Sequence, residues 1–202
     1  MRYLEFPDYP ELPQELKKEI LEFIDAQDFE SFDDLLINST PEVVQMVKDI
    51  YGFEGKDSEL GYAGHVAREM FPTLIKYHFL EVSEKVKDWV RQNLPIEAAS
   101  INVQVMIDGK SIAPHIDEIR RYAINYLLDT GGDVELVFYE LKDPADEKWI
   151  HPQMFIPYEK LEVKEVNKVP ANVWHTLPTN KIHSVENIDP TRKRIALTIS
   201  IL

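Results

Sequence analysis

Residues 101–107, INVQVMI, mark the point at which the hydrophobic pattern of this chain changes. Isoleucine or valine occupies every second position, and Asn102, Gln104 and Met106 lie between them. A period of two predicts a β-strand with one buried face. The dipeptide Asp108-Gly109 follows at once and is typical of a tight turn.

Strand-like segments continue from this point to the end of the chain. Turn signals such as Thr130-Gly131-Gly132, Asp143-Pro144 and Asp189-Pro190 separate them. A series of about eight short strands predicts an antiparallel barrel or a double-sheet jelly roll. The expected strands cover residues 111–117, 121–128, 134–140, 153–157, 161–166, 171–176, 182–187 and 194–201.

Upstream of residue 101 the apolar residues recur at helical spacing instead. Residues 14–25 predict one amphipathic helix, a second is expected between Ser39-Thr40-Pro41 and Gly52, and a long third one over 73–93. The fold class is therefore α+β, a double-stranded β-helix (jelly roll) of about eight strands backed by N-terminal helices. We expect a single domain over 1–202, in which 1–100 is mainly helical support and 101–202 is the β-helix core.

Composition excludes several classes of function. The 36 acidic and 22 basic residues leave a net charge of −14, of which −11 lies in residues 1–60, and we expect no nucleic-acid partner. No apolar run is long enough for a membrane span, and the N-terminus lacks the features of a signal peptide, so a cytoplasmic location without membrane partners is expected. Because there is no cysteine, any metal must be held by histidine and carboxylate.

Two separated motifs carry candidate metal ligands. In Ala113-Pro114-His115-Ile116-Asp117 the side chains of His115 and Asp117 point to the same side of a strand, because side chains alternate with a period of two. In 181–187, KIHSVEN, His183 lies on another predicted strand. Two histidines and one carboxylate on one side of an iron leave open positions for a bidentate cosubstrate and O₂.

Together these motifs resemble the iron(II)/2-oxoglutarate-dependent dioxygenase superfamily. That superfamily is marked by His-x-Asp, a distal His, and an Arg or Lys about ten residues later, all on a double-stranded β-helix. The resemblance covers residues 101–202, and 183–199, HSVENIDPTRKRIALTI, is similar to the closing segment of the family. It implies that 101–202 is the catalytic core, with His115, Asp117 and His183 as iron ligands.

The resemblance also implies residues that bind the cosubstrate. Arg194 would bind the C5 carboxylate of 2-oxoglutarate, and it is preferred over Arg192 because it shares a strand face with small and polar residues. Tyr126, in a segment similar to the family's strand ending in Tyr-Leu, would be a second contact. Many members carry a tyrosine nine residues before the first ligand histidine, where this chain has Met106; Gln104, two residues earlier, would supply a polar contact instead. The implied cofactors are Fe(II), 2-oxoglutarate as cosubstrate, and O₂.

Alternatives stay open at this point. His175 is the rival third ligand, while His65, His78 and His151 have no matched carboxylate. The implied activity is oxidation, in particular hydroxylation, of a small molecule or a protein side chain. The rival interpretations are a cupin-like metal enzyme that does not use 2-oxoglutarate and a noncatalytic jelly-roll binding module.

Overall fold

The computed structural model describes residues 3–27, 77–107, 112–117, 122–150 and 156–201; for 77–79, 112–113 and 148–149 it describes the backbone alone. Two short 3₁₀ segments, Pro144–Trp149 and Tyr158–Lys160, lie between the sixth and seventh of its strands. Within these ranges the helices are α1 (Gln14–Asp25) and α2 (Glu84–Asn93), and the strands are β1 (Leu4–Phe6), β2 (Tyr77–Glu81), β3 (Ser100–Met106), β4 (Ile112–His115), β5 (Tyr122–Asp129), β6 (Glu135–Leu141), β7 (Leu161–Lys168), β8 (Trp174–Pro178), β9 (His183–Glu186) and β10 (Arg194–Ile201).

These strands form two antiparallel sheets. The larger has the order β1-β8-β5-β10-β3-β2, and the smaller has the order β4-β9-β6-β7. From β3 to β10 the chain passes repeatedly from one sheet to the other, which is the connectivity of a double-stranded β-helix. The α+β jelly-roll fold expected from the sequence is thereby confirmed, with eight strands between Ser100 and Ile201.

The inner faces of the two sheets pack on one another and form the first apolar core. Alternation along each strand sends every second side chain into this space. Buried residues of the larger sheet there are Met106, Ala123, Leu127, Leu177 and Ala196, and those of the smaller sheet are Leu136, Phe138 and Val185.

The outer face of the larger sheet packs against the two helices and forms a second core. Leu16, Ile20 and Ile24 lie on one side of α1, as the helical spacing predicts, and Val86 and Val90 lie on the buried side of α2. The helices therefore cover the sheet on the side away from the first core. The strand residues beneath them are Ile101, Val103, Val105, Ile124, Tyr126, Trp174, Ile195, Leu197 and Ile199.

The single long helix expected over 73–93 is wrong. Tyr77–Glu81 is strand β2, which pairs with β3 along its whole length, and the helix begins only after Ser83, whose hydroxyl accepts a hydrogen bond from the Val86 amide. Pairing with β3 outweighs the helical spacing of the apolar residues. Ser83 is a favourable N-cap residue that marks the true start of α2.

Other expectations differ in their bounds. Residues 1–100 are not only helical support, since β1 and β2 extend the larger sheet at its two edges. The strand expected over 171–176 lies at Trp174–Pro178, because Asn172 takes a left-handed turn with φ 60°. Of the strand expected over 153–157, only Ile156 and Pro157 are described, and neither lies in a strand. The helix expected after Ser39-Thr40-Pro41 lies outside the described residues.

Neither α1 nor α2, the helices in the described part of the chain, combines the length and apolar character needed to cross a membrane.

Candidate metal centre

The two candidate histidines are neighbours across a strand pair. His115 on β4 is in register with His183 on β9, and the centroids of their rings are 4.5 Å apart. Asp117 follows β4 by two residues, with its Oδ1 3.4 Å from His115 Nε2. One ligand atom from each of these three residues lies within 4.8 Å of the others. The structure thus brings together the three residues for which the resemblance implies iron binding.

Hydrogen bonds to backbone carbonyl oxygens hold two of these residues in place. The Asp117 amide donates to the carbonyl oxygen of Thr179 at 2.8 Å, which ties the end of β4 to the turn between β8 and β9. His183 Nδ1 lies 2.8 Å from the carbonyl oxygen of Lys181, to which it donates. That bond selects the tautomer in which Nε2 keeps its lone pair for a metal. The β8–β9 turn therefore orients both ligands.

The donor set fits a divalent transition metal. Metal bonds of about 2.0–2.2 Å place neighbouring ligand atoms roughly 3 Å apart, and the His115–Asp117 distance of 3.4 Å is close to this. His183 is 3% exposed, and the side chains of His115 and Asp117 are each 16% exposed. Two imidazoles and one carboxylate are the ligands of non-haem Fe(II) sites that keep open positions.

Arg194, at the start of β10, is a buried cation on the inner face of the larger sheet. It is 4% exposed, and its Nη1 donates to Gln104 Oε1 at 3.1 Å and contacts Met106 Sδ at 3.6 Å. Its Nε is buried without a hydrogen-bond partner, and no described carboxylate pairs with the guanidinium. Burial lowers the pKa of Arg194 to about 10, so that the group stays charged at neutral pH.

Arg192, the competing arginine, lies in a different environment. Its side chain is 47% exposed, and Nη2 forms an ion pair with Asp129 Oδ1 at 2.6 Å. A group so paired and solvated is a poor binding site for a buried carboxylate. The preference for Arg194 on grounds of strand face agrees with this placement.

The β5–β6 turn packs directly against Arg194. Gly131 has φ 73°, and a Cβ built there would lie 2.7 Å from the Cβ of Arg194. Only glycine combines this backbone conformation with so close an approach. The turn therefore packs against the backbone and Cβ of Arg194.

A row of polar side chains crosses the inner face of the larger sheet. His175, Asn125, Thr198 and Asn102 are consecutive register partners across β8, β5, β10 and β3. His175 lies in this row, on the sheet opposite His115, and not in the group of three candidate ligands. Burial, with a smaller contribution from the charge of Arg194, lowers the pKa of His175 to about 4.

The contact predicted for Tyr126 needs correction. Tyr126 belongs to the core beneath the helices, where its hydroxyl donates to Asn172 Oδ1 at 3.2 Å and its ring packs against that of Trp174 at an interplanar angle of 47°. The neighbouring Asn125 takes the inward position on β5. Sequence reasoning missed Asn125, although an asparagine inside the apolar run 123–128 was a signal, because a buried polar residue in a strand is unusual. Gln104, in contrast, does reach Arg194.

An open cleft of about 490 Å³ lies beside the smaller sheet, and none of the three candidate ligands lines it. Its walls include Ile116, between two of the candidate ligands, Ile182, next to His183, and Phe138, whose ring centroid is 6.4 Å from that of His183. Glu165 and Lys181 contribute charged groups. Of the remaining histidines, His65 and His151 lie outside the described residues, and His78 is described only by its backbone in β2.

Comparisons with known proteins give likenesses of structure. No family model matches the chain, and no curated protein sequence matches it. The ribosomal oxygenase YcfD of Escherichia coli aligns over 59% of this chain and 28% of its own length, at 9% identity and a TM-score of 0.36. A cupin superfamily protein of Desulfitobacterium hafniense aligns over 63% of this chain and 78% of its own, at 10% identity and a TM-score of 0.32. A cupin domain of Bordetella pertussis aligns over 64% and 94%, at 12% identity and a TM-score of 0.34.

Proposed function

We propose that this chain is an iron(II)/2-oxoglutarate-dependent oxygenase that acts on a small molecule or a protein side chain. One observation carries the proposal. The inner faces of a single jelly roll present a His115–Asp117–His183 group on one sheet and a buried, unneutralised Arg194 on the other. A metal bound by the three ligands and a dicarboxylate bound by both the metal and Arg194 would complete the coordination of the metal and neutralise the arginine.

Arg194 fits the distal carboxylate of 2-oxoglutarate. A buried charge without a counterion costs free energy, and its Nε has no acceptor. Gln104 occupies one end of the guanidinium and leaves the Nε edge for a carboxylate, which can accept two parallel hydrogen bonds there. The ligand that completes this site is therefore expected to be an anion with planar geometry.

When bound, iron(II), 2-oxoglutarate and O₂ supply the chemistry: the keto acid is decarboxylated to succinate while a C–H bond of the second substrate is oxidised. The tasks of the protein are geometric and electrostatic. His115, Asp117 and His183 would hold the metal, and a site of two imidazoles and one carboxylate would keep positions open for the cosubstrate and O₂. Arg194 and Gln104 orient the keto acid, and the apolar residues between the sheets keep bulk water away.

Metal affinity tests the ligand set. Manganese(II) binding by calorimetry is expected to fall at least about tenfold in His183→Ala, because removing one of three ligands leaves the metal weakly held. His175→Ala is the matched control, a second buried histidine on the inner surface, and it is expected to keep the affinity of the parent protein. A loss in His175→Ala with none in His183→Ala would overturn the ligand assignment.

The two rival functions are outcomes of the same measurements. Binding of metal together with an affinity for 2-oxoglutarate that does not depend on Arg194 would support a cupin-like metal enzyme. The absence of any binding of Fe(II), Mn(II) or Zn(II) would support a noncatalytic jelly-roll module. A structure determined anaerobically with Mn(II) and 2-oxoglutarate would show the ligand set directly.

A further inference from the structure

A single row of side chains crosses the whole smaller sheet and contains two of the candidate metal ligands. On β6, Phe138 is in register with His183 of β9 on one side and with Glu165 of β7 on the other. His183 is in turn in register with His115 of β4. Register partners of an antiparallel sheet project from the same face. Glu165 therefore lies on the metal side of the sheet, two strands from His183 and roughly 10 Å from it.

Glu165 reaches this position because β7 carries a bulge. Phe138 pairs with Glu165, whereas the next residue, Tyr139, pairs with Val163, so that Lys164 has no partner on β6. The Lys164 ammonium is held by Glu140 at 3.4 Å and Glu162 at 3.3 Å. A bulge of this kind redirects side chains, and such bulges are common beside active sites.

The charge of Glu165 is left without a partner inside the cleft. Glu165 is half-buried and forms no ion pair with any described residue. Lys164 is already paired with other carboxylates, and Lys181, which also lines the cleft, does not reach ion-pair distance of Glu165. A partly desolvated carboxylate is stabilised by a cation that forms a charge-assisted hydrogen bond with it.

The cleft that Glu165 lines has apolar walls beside polar and charged ones, the latter from Glu140, Lys164, Asn180 and Lys181. Phe138 lies between Glu165 and His183 in the row, and Ile150 and Ile182 add aliphatic walls to the cleft. The apolar part of this surface favours methylene groups over polar ones. A ligand that fits both features has an aliphatic chain with a cationic group at its end.

We infer that Glu165 binds an ammonium or guanidinium group of the second substrate, whose aliphatic chain lies across Phe138 towards His115 and His183. The inference rests on the proposed function and narrows its substrate to a cationic one, either a free basic molecule or the basic side chain of a protein. Glu165 is the residue that determines specificity in this arrangement.

Ligand binding tests the inference without turnover. The protein is loaded with Zn(II) and 2-oxoglutarate, and n-pentylamine, lysine, N-acetyl-lysinamide and norleucine are titrated by calorimetry. Saturable binding of n-pentylamine is expected to weaken at least about tenfold in Glu165→Gln, because the charge-assisted hydrogen bond is lost. The matched control is Glu162→Gln on the same strand, where the carboxylate is exposed and lies outside the row; it is expected to change the affinity less than twofold.

The other probes separate the sources of the cation. Norleucine lacks the terminal ammonium and is expected to bind at least about tenfold more weakly than lysine. Tighter binding of lysine than of N-acetyl-lysinamide would indicate a free amino acid, and the reverse would indicate a protein side chain. Equal losses in Glu165→Gln and Glu162→Gln, equal binding of norleucine and lysine, or no saturable binding of any amine would overturn the inference.

Paramagnetic relaxation gives the orientation of the probe. With Mn(II) in place of Zn(II), the methyl protons of n-pentylamine are expected to relax faster than the methylene protons beside its ammonium group, since the cation is held away from the metal. Uniform relaxation along the chain would contradict the placement of the cation at Glu165. If the protein binds neither metal nor 2-oxoglutarate but still binds amines in a manner that depends on Glu165, the proposed function fails and the cation site remains.

Discussion

Arg194 carries a buried charge that contributes nothing evident to packing of the fold. Its guanidinium is buried at the start of β10 and is neutralised by no carboxylate among the described residues. Arg194→Ala is therefore expected to weaken 2-oxoglutarate binding by roughly 2–5 kcal/mol, the usual cost of truncating one member of a buried charged pair. Arg194→Lys is expected to recover only part, because an ammonium cannot form two parallel hydrogen bonds.

Anaerobic titration of 2-oxoglutarate into the Fe(II) protein measures this affinity through the charge-transfer absorption. Arg192→Ala is the control, since Arg192 is exposed and paired with Asp129. Unchanged affinity in Arg194→Ala with a loss in Arg192→Ala would assign the carboxylate to the other arginine.

His175 makes stability depend on pH. Burial holds its folded-state pKa at about 4, below the ordinary value of 6.5, so the unfolded chain binds the proton more readily. The stabilisation is complete above pH 6.5 and is lost as the pH falls towards 4, by roughly 3 kcal/mol over the window.

Urea unfolding of metal-free protein at pH 7 and pH 4.5 measures the effect, with His175→Gln as the reference. Between these two pH values the parent protein is expected to lose more unfolding free energy than the variant, since only the parent carries the buried imidazole. Identical losses in both proteins would show that His175 does not control this part of the pH dependence.

The candidate site could be predicted from sequence where spacing alone decides the geometry. His-x-Asp on a strand and a distal histidine are sufficient to suggest three ligands, and these residues do lie together. The face of Tyr126 could not be predicted, because β5 is buried on both sides and its run of apolar residues shows no alternation. Glu165 was missed as well; the bulge at Lys164 sets its face, and the sequence marks that bulge only by the shift of the apolar positions from 161 and 163 to 166.

At the scale of the elements, helix α1 stabilises the fold by packing on the outer face of the larger sheet. Ile20, 3% exposed, packs in the core between the helices and the larger sheet, whereas Phe23 on the same helix is 40% exposed. Ile20→Ala is expected to lower the free energy of unfolding by roughly 2–5 kcal/mol, and Phe23→Ala by less than about 1 kcal/mol. Chemical denaturation of both variants measures the difference.

The Mn(II) affinity of the same two variants shows whether the loss of stability leaves the candidate metal centre intact. Neither residue contributes to the core between the sheets, so the folded Ile20→Ala protein is expected to bind metal as the parent does. Equal stability losses in the two variants would mean that α1 is not docked as described.

At the same scale, the sequence predicted α1 well and the segment before α2 poorly. The bounds of α1 agree because its apolar residues lie on one side of a helix with solvent on the other. In 77–81 the deciding contact is with β3, which follows almost twenty residues later. Local spacing carries no information about such a partner, and an N-cap signal at Ser83 was available but weaker than the apolar repeat.

For the whole molecule, the change from helical to alternating periodicity near residue 101 was enough to predict a jelly roll backed by helices. It was not enough to predict that β1 would pair with β8, far along the chain, and close one edge of the larger sheet. Short edge strands have few residues from which to read a period, and their pairing is a tertiary property.

Net charge is a property of the whole molecule, and it bears on the class of substrate. The chain carries −14, with −11 in residues 1–60, whereas binding to a nucleic-acid backbone depends on the release of cations by a positively charged surface. A local patch near the start of β10 would be the exception. However, Arg192 is paired with Asp129, Lys193 with Asp25 at 3.0 Å, and Arg194 is buried, so that little free positive charge remains there.

We therefore expect labelled single- and double-stranded oligonucleotides not to bind with submicromolar affinity, even at low salt, where electrostatic contacts are strongest. Fluorescence anisotropy at 50 and 200 mM salt is the measurement, and Asp129→Asn is an informative variant because it releases Arg192 from its ion pair. If Arg192 is the only cation made available, the variant gains at most a weak, salt-sensitive contact, since one cation neutralises one phosphate. Submicromolar binding by the parent protein that weakens steeply between the two salt concentrations would contradict the expectation and place nucleic acids among the substrates.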